Sequence, residues 1–283
     1  ISDAIFQGED ALGRNVICPR DGELGCSLLD LLPPCHRNTC THFLSWTWGY
    51  RLLMLQGALQ RWLVSVELAP SEVYLWMCFF VNNQHRVLNL NSKSKESSDD
   101  LDQVFEANLL NIGKMVAVLE SWQDPCYLKR IWCIFEQYTA TRLGIEVTMV
   151  LPPEAVSSLL AEVDQGKRGI LKVRESLSNV DSASAKASVS ADEDKVKALI
   201  TQSVGFHEVN AAIVRSLIKW IGLEIQQYMA ELTMGRGEAG LKRRLSMFSV
   251  DGLVKDDCQI EVSSSATSEF SDTRFSISRR FQL

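Results

Sequence analysis

The chain has 283 residues, 46% of them hydrophobic and 23% charged, which is ordinary globular composition with enough apolar material for one full domain plus extensions. Its formal net charge of -6 argues against a nucleic-acid partner, because tracking phosphates takes clustered Lys and Arg. Eight cysteines, several inside apolar runs as Cys78 is, read as reduced thiols of a cytoplasmic protein rather than as a disulfide framework.

Residues 1–38 carry Gly8, Gly13, Gly22, Gly25 and the pair Pro33 and Pro34 with little periodicity, so an irregular leader with one short helical turn is expected. From Thr41 the pattern changes. Residues 41–47 form a short apolar run that reads as a buried strand, and residues 50–63 have the i, i+3, i+4 spacing of an amphipathic helix. Residues 73–80, rich in aromatic and branched side chains and closed by Asn82 and Asn83, predict a second strand. A polar loop over 89–100 leads to a helix at 101–112 and a third strand at 115–120.

Residues 127–143 predict a strong helix stopped by Gly144, 145–151 a fourth strand stopped by Pro152 and Pro153, and 154–165 a further helix. Strands alternating with such helices imply right-handed crossovers and a parallel sheet covered on both faces. The expected fold class is α/β, a flavodoxin-like three-layer domain over residues 39–166 with strand order 2-1-3-4.

Residues 167–233 are expected to form a helical extension. Small polar residues at 182–190 suggest a linker, followed by helices near 192–203 and 207–232, the last with Val209, Ile213, Leu217, Trp220 and Ile221 on one face. No membrane span is expected, since residues 211–229, the most apolar stretch, contain Arg215, Lys219 and Glu224, whereas a spanning helix needs roughly 18 apolar residues. The Ser-rich stretch 234–283 cannot bury enough surface to offset chain entropy and reads as a disordered tail. Within it, 235–240 spells G-x-G-x-x-G in the wrong context for a dinucleotide turn, and Arg243, Arg244 and Ser246 resemble a basophilic kinase site.

Three short sequences carry a resemblance. Thr41-His42-Phe43-Leu44-Ser45 with Trp48 marks the first strand, with Asn82-x-Gln84 after the second, and Trp132-Cys133-x-x-Glu136 sits on the helix after the third. In that order over roughly 39–155 the chain resembles TIR (Toll/interleukin-1 receptor) domains, in particular a TIR-like branch of unicellular eukaryotes. The resemblance implies an intracellular signalling module. In family members that cleave NAD the helix glutamate is catalytic, and the matching position here is Glu136. The implied activity is that of an NAD nucleosidase, releasing nicotinamide and ADP-ribose, with NAD as substrate and no further cofactor.

The chemistry is consistent with one carboxylate. Nicotinamide starts cationic and departs neutral, so its loss needs no general acid, and one carboxylate near the ribose can stabilise the oxocarbenium-like state. Ligands of open parallel sheets sit beyond the carboxyl ends of the strands near the switch point. The loops gathered there supply the expected substrate-binding residues Ser45, Trp46, Thr47, Trp48, Asn82, Asn83, His85, Ser121 and Trp122, with Trp132 one turn from Glu136. Cys35, His36, Cys40 and His42 match no standard zinc spacing, so no metal is expected. The alternative expectation is a non-catalytic protein-protein interaction or scaffold module that self-associates or binds other signalling proteins.

Overall fold

The computed structural model describes residues 11–85, 101–188 and 190–233. Four parallel strands, β1 (His42–Ser45), β2 (Leu75–Trp76), β3 (Lys114–Val118) and β4 (Glu146–Val150), form one sheet in the order β2-β1-β3-β4. Each connection between neighbouring parallel strands needs a crossover, and helices supply it. The helices are α1 (Leu28–Leu31), α2 (Leu52–Ser65), α3 (Cys78–Val81), α4 (Leu101–Ile112), α5 (Ile131–Arg142), α6 (Pro153–Val163), α7 (Lys167–Ser178), α8 (Ser190–Ser203) and α9 (Gly205–Thr233). The chain is therefore an α/β protein with the expected strand order.

Side chains that alternate along the strands divide the core in two. Phe43, Met115, Ala117 and Met149 enter one buried cluster with residues of α4, α5, α8 and α9. Leu44, Val116, Val118 and Val150 enter the other, with Trp46, Leu55, Leu59 and Trp62 of the β1 end and α2. Both faces are covered, which is why β1 is buried along its whole length and reads as a continuous apolar run. The register Ser45↔Ala117 places the carboxyl ends of β1 and β3 side by side.

Helix termini explain how α5 is aimed. Gly144 has φ 69°, and the amides of Gly144 and Ile145 donate to the carbonyls of Thr141 and Ala140, so the helix closes in a Schellman motif and β4 begins immediately. Only a glycine takes that φ without strain. Pro153 at the first turn of α6 likewise loses no hydrogen bond.

Three expectations are corrected. Residues 73–80 form a strand only at Leu75–Trp76; the chain then turns into α3, with the amides of Phe80 and Val81 donating to Met77. The turn places Phe79 edge-on to both Trp48 and Trp46, at 5.0 and 6.1 Å between ring centroids, and that packing outweighs the strand propensity of the run. Residues 167–178, not separately expected as a helix, form α7 through a thin buried stripe of Gly169, Val173 and Leu177. The stretch at 182–190 is no free linker: Lys186 pairs in parallel with Arg130, its amide donating to the Lys129 carbonyl at 2.9 Å and its carbonyl accepting from Ile131 at 3.0 Å.

The described leader contains an antiparallel bridge between Ile17 and Leu24 and then α1, capped by reciprocal bonds between Ser27 and Asp30. On α9, Val209, Ile213, Leu217, Trp220 and Ile221 are all buried, in the cluster that covers the α5 side of the sheet. Among the described residues no helix is long and apolar enough to cross a membrane. The polar loop expected at 89–100 and the tail from Gly235, including Arg243, Arg244 and Ser246, lie outside the described residues.

Candidate functional site

The last residue of β1 is a serine with no exposed surface. A buried hydroxyl needs partners, and Ser45 has two. Its Oγ donates to Oε2 of Glu136 on α5 and lies 2.7 Å from the Tyr127 hydroxyl. Because the serine has one proton and spends it on the carboxylate, the Tyr127 O–H must donate to Ser45 Oγ. A directed chain therefore runs from Tyr127 through Ser45 to Glu136. Tyr127, fully buried, is placed by a short 3-10 turn at Cys126–Lys129 just ahead of α5.

Glu136 is half-buried, and burial pushes its carboxyl from 4.5 up to about 7, against the opposing pull of the Ser45 hydrogen bond and the Arg130 charge. The carboxyl is thus poised at neutral pH, as a group used for proton transfer or charge stabilisation must be. Two thiols complete the surroundings. Cys133, one turn earlier on α5, is buried and donates through Sγ to the Trp46 carbonyl at 3.3 Å. Burial first and the Glu136 charge second push Cys133 well up and Cys78 to about 12, so both stay as neutral thiols.

Trp46 is buried against Phe79, and its indole nitrogen has no hydrogen-bond partner among the described residues. Trp48 is only half-buried and carries the guanidinium of Arg130 over its ring, 5.4 Å from the centroid. Tyr50, also buried, donates to the Val118 carbonyl at 2.8 Å and so fastens the loop after β1 to the end of β3.

Of the residues singled out from the sequence, Ser45, Trp46, Trp48 and Glu136 are brought into one neighbourhood. The others are engaged elsewhere. Thr47 Oγ1 accepts from the Gly49 amide at 3.5 Å, an internal turn contact. Asn82 ends α3, Asn83 donates to the Gly25 carbonyl at 2.7 Å, and a ring nitrogen of His85 lies 2.9 Å from the Leu12 carbonyl. The loop after β2 is thereby tied to the leader. Ser121 accepts from the Gln123 amide, and Trp122 is a core residue whose indole donates to Ser158 of α6 at 3.3 Å. Trp132 packs edge-on to Phe135 beside the core.

Sequence reasoning missed Tyr127, Arg130, Cys133 and Cys78 as members of the site. Cys133 stands three positions before Glu136, so helical spacing was a signal for it; nothing local marks Tyr127, Arg130 or Cys78. Among the described residues no group of three or more His, Cys, Asp or Glu side chains converges as a metal site, and His42 packs edge-on to Trp62 with its ring nitrogen on Thr41 Oγ1.

No family model matches the chain, and no curated protein and no solved structure matches it.

Proposed function

We propose that the chain is a TIR-like intracellular signalling module that hydrolyses NAD to nicotinamide and ADP-ribose, with Glu136 as the catalytic carboxylate. The observation that carries this reading is the Glu136 carboxyl itself: half-buried, raised to about 7 and held by Ser45 at the carboxyl end of the central strand pair. Support also comes from the motif order that the resemblance to TIR domains rests on.

In the proposed reaction the C1′–N bond of the ribose breaks and its electron pair returns to the ring nitrogen, so nicotinamide leaves neutral. The ionised Glu136 faces the cationic ribosyl centre and stabilises it. Water then forms the new C1′–O bond and passes its proton to Glu136, which returns it to solvent. Ser45 orients the carboxylate, and Tyr127 fixes the direction of the serine proton. No further cofactor enters the scheme, and a cytoplasmic location belongs to the same proposal.

The test is nicotinamide release from NAD by purified full-length chain at high protein concentration, beside Glu136→Ala. Loss of NAD in the first and none in the second supports the reading. Equal loss in both, or none in either, overturns it. The second reading, a non-catalytic interaction module, is favoured by the exposed apolar side chains of α9, Ile218, Leu223 and Met229. Concentration-dependent self-association without NAD turnover is its expected outcome.

A further inference from the structure

Arg130 is the point where the scheme above leaves a charged group unused. It is half-buried, at the residue before α5, and its guanidinium rests on the face of Trp48. Among the described residues no carboxylate forms an ion pair with it, although Glu136 lies close enough to feel its charge. A guanidinium carries five donors and stays charged, so one resting on a ring with no carboxylate partner keeps its donors available to an anion. The guanidinium is planar, and its fork of donors suits two oxygens of a single phosphate.

The surroundings add to the same sign. No side chain caps α5 and no acidic residue stands in its first turn, although the Lys186 carbonyl takes up the Ile131 amide. A carboxyl within reach of its charge is Glu136, six residues further along the chain and already bonded by Ser45. The cation, at the cap of α5, and the carboxyl, on α5, thus have distinct partners.

We infer that Arg130 is a specificity-determining residue that grips a phosphate of the ligand, so that the site selects a ribosyl nucleotide with a diphosphate over the bare riboside. The assignment rests on the nucleosidase reading for its substrate, but not for its binding test. The diphosphate of NAD lies beyond the ribose from the scissile bond. Arg130 therefore anchors the far side of the molecule while Glu136 faces C1′. Trp48 serves as the platform that keeps the guanidinium from folding back on Glu136.

The experiment uses the full chain, Arg130→Lys and Arg130→Gln, with circular dichroism to check folding. Hydrolysis of NAD is compared with that of nicotinamide riboside, which has the same scissile bond and no diphosphate. Selectivity for NAD over the riboside is expected to fall about tenfold or more in Arg130→Gln through KM, and by a smaller factor in Arg130→Lys, which keeps the charge without the fork. An equal fall for both substrates would mean that Arg130 acts only through Glu136, and the inference is then wrong. Calorimetric titration with ADP-ribose needs no turnover and separates the two ideas. Binding to the parent chain that weakens about tenfold in Arg130→Gln sustains the inference even if NAD is not cleaved. Absence of ADP-ribose binding, or binding indifferent to Arg130, overturns it whatever the hydrolysis assay shows.

Discussion

Replacing Glu136 by Gln is expected to stabilise the protein at alkaline pH and to leave it unchanged at acid pH. The folded state raises the carboxyl from 4.5 to about 7. Between those two values the native chain therefore binds more protons than the unfolded one, so stability falls as pH rises through the window and stays low above it. At roughly 1.36 kcal/mol for each tenfold change in acid constant, the rise from 4.5 to about 7 corresponds to about 3 kcal/mol. Glutamine has nearly the same shape, keeps an oxygen to accept the Ser45 hydroxyl, and carries no charge to desolvate. Glu136→Gln should thus gain about 3 kcal/mol over the parent at pH 8 and nothing at pH 4. Other titrating groups are common to both proteins and cancel in the difference. Urea unfolding followed by tryptophan fluorescence, in steps from pH 4 to pH 8, measures it. A gap that stays constant across that range would refute the claim that desolvation governs this carboxyl.

Ser45→Ala removes the hydrogen bond that holds the Glu136 carboxyl down and leaves the Tyr127 hydroxyl without its acceptor. The acid limb of the pH profile of the proposed NAD hydrolysis should move to higher pH, with about 1–3 kcal/mol lost in stability; an unmoved limb would show that the serine does not control the acid. Ile213→Ala empties a fully buried position on α9 and should cost about 2–5 kcal/mol by denaturant midpoint, while a loss below about 1 kcal/mol would mean α9 adds little to the core. Glu224→Ala leaves Arg61 without the partner it meets at 2.6 Å across α2 and α9. Since both side chains are partly solvated the expected loss is about 1–3 kcal/mol, and no loss would class the pair with ordinary surface bridges.

The strand order was legible because residues 41–47, 115–120 and 145–151 are short apolar runs separated by long periodic segments, which leaves few topologies. The run at 73–80 misled because branched and aromatic residues mark burial as much as extension. What decides Cys78–Val81 is whether Phe79 can reach two indoles, a fact of tertiary structure. Helix α7 was hidden by its polarity: only Gly169, Val173 and Leu177 bury it, and charged and polar residues make up most of the rest of the segment. Ser45 and Glu136 were readable as candidates one by one, but their bond spans 91 positions, and Tyr127 enters only because the sheet brings its turn under the same serine. Asn83 and His85 looked available for a ligand until the leader took up both, a contact that no local pattern announces.

The state of Glu136 follows from which donors surround it. A carboxylate ringed by several backbone amides is held well below its ordinary value, because each donor favours the charged form. Here the one described hydrogen-bond donor is a serine hydroxyl, whose proton comes at the cost of a buried polar residue at the end of β1, while the nearby Cys133 thiol donates to the Trp46 carbonyl instead. Arg130 is the one cation that lowers the Glu136 acid constant, yet it bonds to no carboxylate and lies against Trp48 instead. A stable protein would gain by replacing this glutamate with a neutral residue. That the arrangement instead keeps a poorly solvated carboxyl, with its one strong donor held from behind by Tyr127, leaves the open side of the carboxyl short of positive charge. A cationic ribosyl centre supplies that charge only when it develops, so the attraction is greatest where the reaction's charge is greatest. The same deficit that costs the fold stability above pH 7 is what would make Glu136 useful to the proposed chemistry.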